Sequence, residues 1–164
     1  MTRPYDAVLL GIERPAGSRD TSTAHLELPA VAEAAGTARR FTRFVLAAWS
    51  AQVSAEDADL IVSELVTNAL TASEQLPGSM VVLALAALAD GGVRIDVWDP
   101  VKSGPLAVVR AGRDDEGGRG LLLVDALSSA WGQADCATGT QVWARLTAVA
   151  ATTGRATGQE GIER

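Results

Sequence analysis

The stretch from Ser79 to Pro100, SMVVLALAALADGGVRIDVWDP, decides the fold class of this chain. Its first half is almost entirely apolar, and its second half alternates apolar and polar side chains. The residues Asp90-Gly91-Gly92 between the two halves are typical of a tight turn. The pattern predicts a β-hairpin, and therefore a sheet that contains antiparallel strands.

Two amphipathic helices and a short strand are predicted on the N-terminal side of this hairpin. Apolar residues recur at spacings of three and four over residues 30–52, and the same spacing returns after Ser54. Ser54, with Asp57 three residues later, predicts the N-cap of the second helix. The alternation at His25–Leu28 predicts a strand, which the proline that follows would restrict to a sheet edge.

The C-terminal side of the hairpin is predicted to hold a loop, a helix and a last strand. Residues 100–117 have turn residues at both ends and are expected to form a loop or lid. A short helix is predicted at Gly120–Leu127 and a strand at Thr140–Val149. Helices and a largely antiparallel sheet in separate blocks predict an α+β fold, built as a two-layer sandwich.

The size and composition of the chain narrow its class. Its 164 residues suffice for one domain with an ordinary core, and 48% of them are hydrophobic. Residues 23–150 are expected to form that domain, between a loose N-terminal arm (1–22) and a flexible tail (151–164). The net charge is -6, and no apolar run approaches the ~20 residues of a membrane span. Neither nucleic acid nor a membrane is therefore an expected partner, and the single cysteine favours a reducing cytoplasm.

Three polar side chains on the predicted second helix and hairpin suit a ligand that carries phosphate and an amine. Glu64 and Asn68 lie four residues apart on the helix, so both project from one face. A carboxylate can orient or deprotonate an attacking group, and an amide oxygen can bind Mg²⁺. Asp99, at the end of the hairpin, can accept a hydrogen bond from an amine such as that of adenine. Taken alone, the pair is more typical of a solvated helix face, and Asp99 of a turn.

Two glycine-bearing motifs follow. Gly118-Arg119-Gly120 leads directly into an apolar helix, where glycines let the backbone approach an anion and Arg119 adds positive charge. A flexible hinge before the helix is the alternative. The hydroxyl of Thr140, which follows Gly139, can donate to a phosphate oxygen. A turn glycine followed by a strand threonine is the commoner meaning of that pair.

Taken in order, these motifs resemble the GHKL nucleotide-binding superfamily, and most closely its small bacterial anti-sigma factors and serine protein kinases. Residues 64–69 (ELVTNA) are similar to the N box of that superfamily, and residues 97–100 (VWDP) to the strand that enters its first glycine box. Residues 118–124 (GRGLLLV) are similar to the second glycine box, and Gly139-Thr140 to the closing Gly-Thr motif. The resemblance extends over residues 23–149.

The resemblance implies a Bergerat-type α+β sandwich that binds ATP and Mg²⁺ beneath a lid. Asn68 would hold Mg²⁺, Glu64 would act as base or orient the attacking group, and Asp99 would read the adenine amine. The remaining nucleotide-binding residues that it implies lie in the second glycine box and the closing motif: Gly118, Arg119, Gly120, Leu121 and Thr140. Among these, the glycines, Arg119 and Thr140 would cradle the phosphates.

The resemblance also implies a function. Its nearest branch contains anti-sigma factors with serine/threonine protein kinase activity, whose partners are an anti-anti-sigma factor or a sigma factor and which often form homodimers. This chain departs from the pattern in the first glycine box, because Val101 and Ser103 replace both expected glycines. The departure favours an alternative, a non-catalytic module that holds nucleotide or sequesters a partner. Arg39, Arg40 and Arg43 would suit such a partner, or else form a solvated face.

Overall fold

The computed structural model describes residues 8–13, 22–102 and 119–149. These residues form a six-stranded, fully antiparallel sheet and three helices. In chain order the elements are β1 (Val8–Glu13), β2 (Thr23–Pro29), α1 (Ala34–Ala48), α2 (Ala55–Ser73), β3 (Met80–Ala87), β4 (Val93–Asp99), α3 (Arg119–Leu127), β5 (Ala130–Cys136) and β6 (Gly139–Leu146). The strand order across the sheet is β1-β2-β3-β4-β6-β5.

The core lies between one face of this sheet and the helices. Alternate residues of β2, β3, β4 and β6 are buried on that face, as a period of two requires of a strand covered on one side. They pack in one cluster with the buried residues of α1 and α2 and with Val124 of α3. The predicted α+β, two-layer sandwich of the Bergerat type is therefore confirmed.

Helix α2 begins and packs as its sequence predicts. The Ser54 hydroxyl accepts a hydrogen bond from the backbone N–H of Asp57 at 3.2 Å, which caps the helix. Its buried stripe includes Ile61, Leu65 and Ala69, at four-residue spacing. The stripe faces β4, β3 and β6, so this helix lies across the centre of the sheet.

The N-terminal arm is the first place where the structure differs from the expectation. Within the segment expected to be loose, Val8–Glu13 forms β1 and pairs with β2. The prediction that His25–Leu28 lies at a sheet edge is therefore wrong, because β2 has a partner on each side. Pro29 is the last residue of β2, so its missing N–H does not prevent the strand from lying inside the sheet.

A second difference is strand β5, which the sequence did not predict. Its residues, AWGQADC, include a glycine and an aspartate, and most of its side chains are exposed or half-buried. An edge strand of this kind carries no alternation that a pattern can detect. Residues 103–117 of the predicted lid (100–117) and the predicted tail over 151–164 lie outside the described residues.

The outer face of the sheet is covered by its own side chains around Trp143. The indole packs against Gly132 of β5, where an added Cβ would lie 3.0 Å from the ring. The guanidinium of Arg94 lies 4.5 Å from the ring centroid, a cation–π contact. Arg94 also donates three hydrogen bonds to the carboxylate of Asp96, which accepts a fourth from Gln141 at 2.7 Å. In the ranges that the structure describes, no helix is long and apolar enough to cross a membrane.

The packing predicts a large difference between two chemically identical substitutions. Leu85 is completely buried in β3, whereas Leu76, after α2, is 45% exposed. We expect Leu85→Ala to lower the free energy of unfolding by about 2–5 kcal/mol, because it leaves a cavity in the core. Leu76→Ala should change it by less than about 0.5 kcal/mol. Urea unfolding of the two variants checks this, and equal effects would contradict the placement of the core.

Candidate functional site

A pocket opens between α2 and the adjoining ends of β4 and β6. Its walls are mostly apolar and come from both layers of the sandwich: Leu65, Ala69 and Ala72 from α2, Val97 from β4, and Val142 from β6. Three polar side chains complete the lining, namely Asn68, Asp99 and Thr140. The pocket has room for about two water molecules, so it must widen to admit a larger planar group.

Among the described residues that line this pocket, Asp99 provides the only carboxylate. It is the last residue of β4 and is 8% exposed. Its Oδ1 accepts a hydrogen bond from the backbone N–H of Val101 at 2.9 Å. Burial raises the pKa of Asp99 above its ordinary value, and the hydrogen bond from Val101 opposes that rise. A buried acceptor within an apolar pocket suits a ligand that brings its own N–H donor.

The backbone around Asp99 is fixed by the start of β6. Thr140 pairs with Asp99 across the two strands, and its hydroxyl donates to the carbonyl oxygen of Val101 at 2.7 Å. A Cβ on Gly139 would overlap the carbonyl oxygen of Asp99 and would lie 2.9 Å from Pro100 Cα. The close approach of the two strands therefore requires glycine at position 139. The structure groups Thr140 with Asp99, and its predicted phosphate contact stays a prediction.

Glu64 and Asn68 project from α2 toward this region. Asn68 is half-buried and lines the pocket, so its amide is one turn of helix away from the carboxylate of Glu64. Glu64 lies against the first turn of α3, where its carboxylate contacts Gly120. The structure thus brings together α2, β4, α3 and β6, the four elements that carry the predicted motifs.

The second glycine box is described only in part. Gly118 lies outside the described residues, and Arg119 is the first residue of α3, with a side chain that is not described. Gly120 contacts Glu64, and Leu121 is buried. Leu121 thus helps to hold α3 against the rest of the domain.

The apolar lining of the pocket was missed by sequence reasoning, although a signal for it exists. Leu65, Ala69 and Ala72 follow Glu64 and Asn68 at helical spacing, so a helical projection places them beside the polar pair. Val97 lies two residues before Asp99 and faces the same side of β4. The hydrogen bond from the Val101 N–H to Asp99 is the turn that the sequence offered as the alternative for this aspartate.

Comparison with protein families agrees with this geometry. A family model described as the histidine kinase-like ATPase domain matches residues 28–146, which is 119 of the 164 residues. The chain belongs to this family. The match includes α2, β4, α3 and β6, and therefore every described residue of the site. Membership supports a GHKL-type, ATP-binding regulatory module. No curated protein matches the sequence significantly.

The residues of the site fit the nucleotide and the metal that the family implies. Asp99 offers an acceptor in an apolar pocket, which matches a purine with an exocyclic amine. The described residues contain no group of three or more His, Cys, Asp or Glu side chains that could enclose a metal. Mg²⁺ that arrives with a nucleotide needs only one or two protein ligands, because phosphates and water supply the rest. The amide of Asn68 suits that requirement.

The raised pKa of Asp99 predicts that its ionised form lowers the free energy of unfolding. The folded protein holds the Asp99 proton more tightly than the unfolded chain, so stability falls as the pH rises through the two pKa values. Asn lacks this titration and keeps an oxygen for the Val101 N–H. We therefore expect Asp99→Asn to raise the free energy of unfolding at neutral pH, with a gain that shrinks toward about pH 4.

Urea unfolding across that pH range tests this expectation. The exposed Asp135 on β5 offers a matched control, because Asp135→Asn removes the same charge at the surface. Because it is a surface substitution, we expect the control to leave the free energy of unfolding at neutral pH close to that of the wild type. An Asp99→Asn variant that is less stable than the wild type at neutral pH would contradict the prediction.

Proposed function

We propose that this protein binds Mg·ATP in the pocket between α2, β4 and β6 and acts as a serine/threonine protein kinase of the anti-sigma factor type. Its partner would be an anti-anti-sigma factor, with a sigma factor as a second partner. The observation that carries the proposal is the arrangement of Asp99, Asn68 and Glu64 along one path. A buried acceptor lies within an apolar pocket, and the amide and the carboxylate follow along α2.

Each part of the path suits one part of the nucleotide. The carboxylate of Asp99 would accept the adenine amine, with the ring between Leu65 and Val142. Asn68 would hold Mg²⁺ beside the phosphates. The N-terminal end of α3, whose first backbone N–H groups have no acceptor within the helix, would face the phosphate oxygens. A bound Mg²⁺ supplies charge neutralisation on the phosphates during transfer.

The proposed reaction transfers the γ-phosphoryl group of ATP to a serine hydroxyl of the partner. A bond forms between the serine oxygen and the γ-phosphorus, and the bond to the oxygen that bridges the β- and γ-phosphates breaks, so ADP leaves. Glu64 accepts the hydroxyl proton or orients the hydroxyl toward the phosphorus. Positioning and charge stabilisation supply most of the catalysis in reactions of this kind.

A non-catalytic module that sequesters a partner is the second candidate, and the replacement of the two expected glycines by Val101 and Ser103 favours it. Arg39, Arg43 and Leu60 line an open groove between the exposed sides of α1 and α2. Phe44, next to Arg43, is 63% exposed. Exposed aromatic and arginine side chains are enriched in protein interfaces. Both candidates would use this groove for a partner, and only the kinase requires Glu64.

Thermal unfolding with and without millimolar Mg·ATP tests nucleotide binding. A ligand that binds only the folded state adds about 2.7 kcal/mol of stability at a concentration 100 times its Kd, so we expect a higher Tm. Asn68→Ala should remove most of this increase. Thr67→Ala is the matched control, because Thr67 is exposed on the same helix and does not line the pocket. No increase in the wild type would exclude the nucleotide site.

In the absence of the partner, water replaces the serine hydroxyl as the attacking group, and this slow hydrolysis of Mg·ATP to ADP and phosphate separates the kinase from the sequestering module. Glu64→Gln keeps the size of the side chain but removes its capacity to accept a proton. We expect it to retain the Mg·ATP-dependent rise in Tm and to lose turnover by about 10²–10⁴-fold. Glu56→Gln, at an exposed position of the same helix, should keep both properties. Full turnover in Glu64→Gln would refute a catalytic role for this carboxylate.

A further inference from the structure

Gly120 and Glu64 are packed so closely that a Cβ at position 120 would force the Glu64 side chain to move. A Cβ on Gly120 would overlap Oε2 of Glu64 and would lie 3.2 Å from its Cδ and 3.7 Å from its Cβ. The Glu64 carboxylate therefore lies directly against the backbone at the second residue of α3. Since Glu64 belongs to α2, this contact joins the two helices at the edge of the site.

The backbone conformation of Gly120 does not itself explain the glycine. Among the described residues, the glycines with positive φ are Gly78 and Gly91, and Gly120 has helical geometry. Glycine is less favourable than alanine in a helix. Position 120 thus carries a residue that is unfavourable for its helix and is not required by its φ. What the glycine provides is space for the carboxylate of Glu64.

We propose that Gly120 is a positioning residue for Glu64. Because Gly120 has no side chain, the Glu64 carboxylate can approach the backbone of α3, and that backbone then limits any further movement toward the helix. A glutamate side chain loses rotamer entropy when it is fixed in one conformation, and backbone packed against it reduces the number of conformations it can adopt. This inference rests on the proposed function, in which Glu64 acts on the attacking hydroxyl.

The contact also explains why the motif combines a glycine with the start of a helix. The end of α3 that faces the phosphates in the proposed function is the end that contacts Glu64. Gly120 therefore brings the carboxylate and the phosphate-binding backbone to the same place. Alanine at position 120 would keep the backbone N–H for phosphate but would displace the carboxylate. The two roles of this residue are thus separable by one substitution.

A size-exchange experiment tests the proposal in the full-length protein. The variants are Gly120→Ala, Glu64→Asp and the double variant, with Mg·ATP as the probe. Aspartate withdraws the carboxylate by about 1.5 Å, which makes room for the new methyl group. Gly36→Ala is the matched control, because Gly36 is also in a helix and a Cβ there would lie 3.8 Å from its nearest neighbour, an arginine side chain.

Two readouts are expected to separate. Without nucleotide, neither Gly120→Ala nor Gly36→Ala should lower the Tm, because alanine favours a helix and the Glu64 carboxylate, at the end of a flexible side chain, can move aside. With Mg·ATP, Gly120→Ala should lower kcat on the order of tenfold or more while KM changes little, because the phosphate contacts remain. Glu64→Asp in the Gly120→Ala background should restore kcat by about threefold or more.

The outcomes distinguish this inference from the proposed function. A wild-type protein with no rise in Tm on addition of Mg·ATP would refute the nucleotide site itself. Binding without turnover in the wild type would refute the positioning role but leave nucleotide binding intact. If Gly120→Ala turns over Mg·ATP normally, binds it more weakly, or is not improved by Glu64→Asp, Gly120 does not position Glu64.

Discussion

The rotation of α2 about its own axis is the constraint on which the site depends. Its buried stripe, with Ile61, Leu65 and Ala69 at four-residue spacing, can face the sheet in only one orientation. Glu64 and Asn68 each precede a buried residue by one position, so they lie about 100° around the helix, at the border between core and solvent. Hydrophobic burial along the whole helix therefore fixes the direction of two polar side chains. A site built on such an element needs no contacts of its own to be oriented.

Two glycines then bring the remaining elements close enough to complete the site. Gly139 lets the start of β6 approach the backbone of Asp99, and Gly120 lets α3 approach the carboxylate of Glu64. Neither contact concerns a left-handed backbone, so both are requirements of space. They also bear on the altered first glycine box. The chain after Asp99 lacks the two expected glycines, and in their place the hydroxyl of Thr140 holds the carbonyl of Val101. The family resemblance implies a glycine-containing turn at this place, and the structure has a turn held by a hydrogen bond instead.

An element of the fold could be predicted from the sequence when the residues that determine it are close together along the chain. The cap of α2, the hairpin of β3 and β4 and the helix α3 depend on neighbours in sequence, and the sequence predicted all of them. Strands β1 and β5 lie at the two edges of the sheet, where a strand is defined by a distant partner and its own pattern is weak. The candidate site residues were identified from their spacing and from a family resemblance. What the sequence could not supply was which glycine touches which side chain, because that depends on how separate elements pack.

Two aspartates on β4 have different surroundings, which suit one of them to stabilising the sheet and the other to binding a ligand. Asp96, on the outer face, accepts hydrogen bonds from Arg94 and Gln141 and is part of the network around Trp143. Asp99, three residues later, faces the pocket, and within the described residues a single backbone N–H donates to it. Buried carboxylates that serve only the fold are normally satisfied by the protein, as Asp96 is. Burial raises the pKa of Asp99, and its carboxylate can accept further hydrogen bonds. Such a carboxylate lowers the free energy of unfolding of the unliganded protein. A ligand whose N–H group donates a hydrogen bond to Asp99 would offset that loss.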